Sequence, residues 1–394
     1  MHGIGFLIYY CVPNLLIVQL NLVRRFTMAA TACSKDLRSR FQGCLAAAVA
    51  GDCLGAPFEV SGVKSVEEVV KFEQQLSRYI EKELKAKHLE YTDDTAMARS
   101  VAQSLIDNKG KFNARDMAKR FHDEYLKESN RGYGGNVIDI LGPLGDPELT
   151  DVFHPATTQF NGSGSYGNGG AMRVAPVGLA FYNNFEMMKQ VAVDSARITH
   201  SNCLGYNGAL LLSCAVYSAL HIEAGTAVNS DQFIEKLIDI MKDVEAIDHT
   251  MQDSGDNQPK KSKLDESVAD DPVYTRKLMA AQEFLKRDNV DNKEVVEVLG
   301  NGIAAQRSVV TAVYCFLRSV KSIETIPTQN GLVRTILYAI SMNGDTDTIA
   351  TMAGAIGGAY YGLESMPEKW REVCEGVGDA IKQGDELFKL NVGN

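Results

Sequence analysis

Asn343-Gly344-Asp345-Thr346-Asp347-Thr348 sets two carboxylates and two hydroxyls among six residues and runs straight into an apolar stripe, Ile349, Met352, Ala353, Ile356 and Tyr360. That spacing predicts a helix. Tyr91-Thr92-Asp93-Asp94-Thr95 repeats the arrangement ahead of Ala96, Met97, Val101 and Leu105. Both clusters therefore fall at helix N-termini, where Asp and Thr side chains cap free N–H groups and the helix dipole favours carboxylate. Two independent N-caps would account for one oxygen each. The clusters supply four carboxylates and up to four hydroxyls, which is more than capping uses, so the expectation is that they converge and hold hard cations.

Ligand chemistry narrows the cation. The donors are all oxygen, with no Cys or His within four residues of Asp345 or Asp94, which disfavours zinc and copper and favours magnesium or manganese. Carboxylates crowded together raise one another's pKa unless positive charge sits between them. Two divalent ions would balance four carboxylates, and such pairs lie roughly 3.5–4 Å apart when they clamp one reacting group.

Outward from these clusters the chain reads as an ordinary globular protein, 394 residues long and 45% hydrophobic, enough for a large core. A net charge of −10 argues against a nucleic-acid or membrane-surface binder. An anionic ligand would need metals or backbone N–H groups. The Cys residues, Cys11, Cys33, Cys44, Cys53, Cys203, Cys214, Cys315 and Cys374, form no Cys-x-x-Cys pair and are expected as buried free thiols in a reducing compartment. Residues 1–30 are apolar but interrupted by Pro13, Asn14, Gln19 and Asn21, with Arg24-Arg25 after the apolar run. They give no clean membrane span and are expected as an extension or leader ahead of a single domain over 31–394, with Met28 an alternative start.

From Leu37 helical patterns dominate. Phe41, Leu45, Ala48 and Val49 form a face that ends near Gly51-Asp52-Cys53-Leu54-Gly55-Ala56-Pro57-Phe58-Glu59, whose glycines and proline predict a loop with Asp52 and Glu59 as its acids. Residues 64–87, dense in Lys and Glu, predict a solvated amphipathic or mobile segment. Asn113 is placed to cap a helix through Met117, Phe121 and Tyr125, and Ser201 or Asn202 to cap Leu204–Leu220. Residues 243–272 are polar and predict a surface loop. Ile303–Val320 and Leu332–Met342 predict core helices, and no strand pattern appears, so the predicted fold is all-α.

Asn161-Gly162-Ser163-Gly164-Ser165-Tyr166-Gly167-Asn168-Gly169-Gly170 contains a literal G-x-G-x-x-G, with Glu186 downstream. The segment before it is no buried strand and the chain has no βαβ alternation, so a dinucleotide fold is not indicated. A glycine loop at a helix start can still present N–H groups to a diphosphate. Phe160 and Tyr166 flank it, to stack on a base or ribose or simply to pack. His200, in Ile198-Thr199-His200-Ser201-Asn202, either donates to a ligand phosphate or hydroxyl or is structural.

Gly51-Asp52-x-x-Gly55, Thr92-Asp93-Asp94-Thr95, Gly167-Asn168-Gly169-Gly170-Ala171-Met172-Arg173, Thr199-His200-Ser201 and Gly344-Asp345-Thr346-Asp347-Thr348 occur in the order seen in ADP-ribosylglycohydrolases, and together they span residues 37 to about 365. The chain resembles that family, and Glu59 looks like the mobile catalytic glutamate of the branch that acts on serine-linked ADP-ribose and poly(ADP-ribose). The resemblance implies a single orthogonal helical bundle with two magnesium ions, replaceable by manganese, on Thr92, Asp93, Asp94, Asp345, Asp347 and Thr348, with Glu59 beside them as a further ligand. Glu59, Asp94 and Asp347 would be catalytic. Gly132, Ser165, Tyr166, Gly167, Asn168 and His200 would hold diphosphate and ribose, and Phe160 with Ile303 the adenine. It further implies hydrolysis of O-acetyl-ADP-ribose, ADP-ribosylated proteins and poly(ADP-ribose) as partners, a monomer, and residence in nucleus and cytoplasm with the mitochondrial matrix as a third compartment. The competing expectations are an arginine-specific hydrolase and a catalytically inactive ADP-ribose binding module.

Overall fold

A computed structural model describes residues 13–59, 62, 64–84, 86–253 and 272–392, with side chains from residue 36 onward except 83, 84 and 248–253. Among the described residues the fold is all-α, and extended pairing is limited to isolated bridges such as Gly167 with Ala304.

Two helices form the spine. The helix Pro13–Glu59 packs along Thr346–Tyr361 through a seam of small residues. A Cβ on Gly43 would lie 2.6 Å from Gly362 C, on Gly51 2.2 Å from Ala350 O, on Gly55 2.6 Å from Asp347 Cα, on Gly354 2.4 Å from Ala47 O and on Gly358 2.1 Å from Gly43 O. The contacts descend along one helix as they ascend along the other, so the pair is antiparallel. Small residues at 43, 47, 51 and 55 lie on one face at four-residue spacing, and their missing side chains let the two backbones touch. Thr346 Oγ1 donates to Gly55 O at 2.9 Å and fixes the register. The helix Cys203–Leu220 is buried beside this pair, and Val377–Val392 covers the first helix near Phe41. The segments Asp36–Glu59 and Cys203–Leu220 are apolar and long enough to span a membrane, but 83% and 78% of their apolar windows are buried inside the fold, which is the setting of core helices.

The predicted caps are in place. Asn113 Oδ1 accepts from Asp116 N at 3.1 Å, and Asn202 Oδ1 from Leu204 N at 3.0 Å. Other expectations need correction. Residues 51–59 form no loop, because the first helix continues through its glycines to Glu59 with Pro57 in the last turn. The expected 243–272 surface loop is helical at its start: Ser230–Asp253 is one helix. Its apolar face, Ile234, Leu237, Ile238 and Met241, is buried, and Glu245 on that face caps Val273–Leu285 by accepting from Tyr274 N at 2.8 Å and Thr275 N at 3.0 Å. Residues 254–271 of that expectation lie outside the described residues, as do residues 1–12 of the expected leader. Among the described residues the first helix runs from Pro13 to Glu59. Residues 64–87 hold a capped helix, Val66–Gln74, and further helical turns, with Val69, Leu76 and Ile80 buried. Ile303–Val320 is not one helix. An irregular stretch and a short turn at Ala305–Arg307 precede Val309–Ser319, because residues 301–305 bond to neighbouring loops instead of to one another.

Candidate metal centre and adjoining cleft

The spine delivers its acids to one end. Thr92 caps the helix Asp93–Asp107, its hydroxyl accepting from Asp94 N. The turn before it is locked from outside. Asp93 N donates to Arg131 O at 2.7 Å, and the Arg131 guanidinium lies 3.9 Å from the Tyr91 ring centroid while bonding both oxygens of Glu375 at 2.7 and 3.0 Å. The second turn is shaped by Asn343 and Gly344, at φ 58° and 72°. A Cβ on Gly344 would sit 2.1 Å from Asn301 O, so left-handed backbone and close approach both demand glycine there. Asn301 O accepts from Asp345 N at 2.8 Å.

The two turns meet. Thr348 Oγ1 donates to Asp94 Oδ1 at 3.2 Å across 254 residues of chain, and oxygens of Glu59, Asp345 and Asp347 lie within 4.8 Å of one another. The convergence expected from ligand type is therefore present, and Glu59 reaches it from the end of the first helix.

The acids of the two turns crowd one another and hold each other's protons. Burial, followed by the charge of Asp347, lifts Asp52 to about 7, and burial followed by Asp52 and Asp347 lifts Asp93 to about 7. Burial and then Asp347 push Asp94 and Asp345 well above the carboxylate range and raise Glu59. Asp347 rises through burial although the Thr348 N–H, at 2.8 Å, holds it down. Among the described residues no Lys or Arg forms an ion pair with any of these acids. Asp94 Oδ2 is buried with no hydrogen-bond partner. A buried carboxylate oxygen without a donor is costly, and converging carboxylates with an orphaned oxygen fit a hard cation. Thr92, Asp93, Asp94, Asp345, Asp347 and Thr348, with Glu59 at the rim, are the residues that could hold it.

Asp52 belongs to this centre although sequence reading gave it no role. It is fully buried and accepts from the backbone and hydroxyl of both Thr92 and Thr95. The sequence signal was available: an acid on the helix stripe of Leu45, Ala48 and Val49, where a hydrophobe would otherwise face the core.

The glycine loop adjoins the centre through Asn168. Its Nδ2 donates to Asp345 Oδ2 at 2.5 Å and Ser308 Oγ at 3.1 Å, and its backbone N to Ile303 O at 2.9 Å. Phe160, Asn161, Gly162 and Gly164 all have positive φ, at 50°, 57°, 93° and 70°, and Ser165 Oγ accepts from Gly167 N. Phe160, Tyr166 and Ile303 are exposed by 44%, 48% and 73%. Large apolar side chains left open beside a polar centre are what an aromatic ligand would cover. Gly132, at φ 84°, adjoins the Arg131 carbonyl that holds Asp93 and has open space where a Cβ would be. His200 is buried, with Nδ1 2.7 Å from Thr199 Oγ1 and its ring against Gly169, whose Cβ would be 2.8 Å from Cε1. Burial, then the nearby Arg173 charge, holds it down to about 3, so it supports the glycine loop as a neutral imidazole.

Comparison with known proteins agrees with this arrangement. Residues 34–393 match the family described as ADP-ribosylglycohydrolase. The chain is 45% identical over 368 residues to ADP-ribosylhydrolase ARH3 of Gallus gallus, covering 92% of this chain and 96% of that protein. It is 45% identical over 357 residues to ADP-ribosylhydrolase ARH3 of Homo sapiens, covering 89% and 93%. A solved structure titled ADP-ribosylglycohydrolase-related protein complex superimposes with a TM-score of 0.58 at 18% identity, covering 91% of this chain and 100% of that one, which is a likeness of fold.

Proposed function

The chain belongs to the ADP-ribosylglycohydrolase family and is a glycohydrolase, and from that premise we propose that it is a magnesium-dependent ADP-ribosylhydrolase. Its substrates would carry ADP-ribose O-linked to serine, with poly(ADP-ribose) and O-acetyl-ADP-ribose cleaved at the same site. The observation that carries this is the meeting of Thr348 with Asp94, beside an oxygen of Asp94 that no protein group satisfies.

Two magnesium ions on Thr92, Asp93, Asp94, Asp345, Asp347 and Thr348, or manganese in their place, would orient ribose hydroxyls and offset charge as the anomeric bond breaks. The protein's own groups do the rest. Asn168 holds Asp345 in place, and the glycine loop offers N–H groups to the diphosphate. Phe160, Tyr166 and Ile303 cover the adenosine end. Glu59 sits within 4.8 Å of Asp345 and Asp347 oxygens, and burial with the Asp347 charge raises it. It takes a proton from the attacking water as the water oxygen bonds to the anomeric carbon, and passes that proton to the serine oxygen as the bond from that carbon to the serine oxygen breaks.

The test mixes protein, magnesium and a serine-ADP-ribosylated peptide and measures free ADP-ribose. Release that stops on chelation supports the reading. Bound but intact peptide indicates a binding module, and release from an arginine-linked peptide alone indicates the arginine-specific activity. Glu59→Ala should lower turnover about a hundredfold while still binding ADP-ribose; full turnover removes the role given to Glu59.

A further inference from the structure

The segment 300–305 joins the metal centre to the glycine loop. Asn301 O accepts from Asp345 N at 2.8 Å, Ile303 O from Asn168 N at 2.9 Å, and Ala305 N donates to Tyr166 O at 3.0 Å. The same segment exposes Ile303. Both its ends are gripped by one side chain. Lys277, in the helix Val273–Leu285, donates from Nζ to Leu299 O at 2.7 Å and to Gln306 O at 2.5 Å. Thr311 Oγ1 adds a bond to Gly300 O at 2.6 Å, so the loop has a second tie independent of the lysine.

The charge on Lys277 is held there at a cost. Burial, then Arg307 and Arg276, lowers its pKa to about 8, and its acceptors, Leu299 O and Gln306 O, are carbonyls. An ammonium half out of water beside two guanidinium groups is not a low-energy way to cap the helix Asn292–Leu299 alone. It does something a cap would not: it sets the span between the carbonyls at 299 and 306, and so where Ile303 stands relative to Asp345 and Asn168.

We propose that Lys277 is a positioning residue for ligand recognition, closing the base of the 300–305 loop so that Ile303 faces the adenosine end of ADP-ribose while Asn301 and Asn168 stay bonded. This rests on the reading of ADP-ribose as the ligand. Its effect falls on affinity and not on bond cleavage, because Lys277 touches no acid of the metal centre.

Calorimetric titration of ADP-ribose into wild type, Lys277→Met and Lys277→Arg, with magnesium present, provides the test, together with KM and kcat on the serine-linked peptide. Loss of two charge-assisted hydrogen bonds should raise Kd and KM about tenfold in Lys277→Met. The arginine variant should recover most of that, and kcat should stay within about twofold. A folded Lys277→Met protein with unchanged Kd, or with kcat falling as far as KM rises, overturns the inference. If wild type itself binds no ADP-ribose, the functional reading fails instead, and the clamp is judged by amide hydrogen exchange of residues 300–305: faster exchange in Lys277→Met supports it, and unchanged exchange overturns it.

Discussion

Asp52 Oδ2 accepts from Thr95 twice, from its backbone N–H at 3.1 Å and from its hydroxyl at 2.6 Å. Its other oxygen binds the Thr92 hydroxyl at 2.9 Å. One buried acid in the first helix thus sets the pose of the turn carrying Asp93 and Asp94. Asp52→Ala should orphan these donors, cost about 3 kcal/mol of stability and abolish magnesium binding, read by thermal unfolding and calorimetric titration. A variant that keeps wild-type magnesium affinity would show that Asp52 is a spectator.

Asp347 raises Asp52, Asp93, Asp94, Asp345 and Glu59 by its charge. In metal-free protein Asp347→Asn therefore relieves repulsion and should raise stability by about 1 kcal/mol, since the amide oxygen can still accept from Thr348 N. With magnesium the order inverts. Wild type gains roughly 2.7 kcal/mol at a hundred times Kd and the variant gains little. Melting curves with and without chelator read both, and a variant less stable than wild type in chelator contradicts the first.

Asp93 ionises near pH 7 in the folded metal-free protein against about 3.9 unfolded. The folded state then holds a proton that the unfolded chain has released, so this contribution to stability is full below about pH 4, declines as pH rises and levels off above about 7. His200 acts in the opposite sense, neutral when folded down to about pH 3, so the quantity to measure is a difference. Wild type minus Asp93→Asn, in chelator, should lose stability from about pH 4 to 7. Magnesium affinity should climb over the same range as bound metal displaces protons. A difference that grows with pH overturns the assignment.

Gly55→Ala would put a methyl 2.6 Å from both Asp347 Cα and Thr346 O. Neither is the end of a flexible side chain, so the turn of acids must move. The expected cost is about 2–3 kcal/mol, with weakened magnesium binding. Gly378→Ala, whose methyl would meet nothing within 4 Å, is the control and should be neutral or stabilising. Equal behaviour of the two variants would separate the seam from the site.

Much of this architecture is legible in the residues themselves. Two acid-and-hydroxyl clusters ahead of apolar stripes mark helix starts, and their surplus of oxygens over capping needs points to convergence. What escaped notice depended on partners distant in sequence. Asp52 looks like a polar interruption until Thr92 and Thr95 arrive. The glycines at 51 and 55 look like helix breakers until Ala350 and Asp347 occupy the space they leave. Residues 243–253 are polar enough for a loop, yet Glu245 is buried as the cap of a following helix. Lys277 carries no local sign of its task, because both its acceptors are backbone carbonyls.

The antiparallel seam between the first helix and Thr346–Tyr361 bears on how the molecule comes into being. A chain emerging from a ribosome displays its Gly43–Gly55 face while the strip that covers it, beginning near residue 346, is still to be synthesised. Pairings this remote close late and slowly. No truncated product ending before that strip can assemble the cluster of acids, so the capacity to bind the cation arises only when nearly the whole polypeptide has been made.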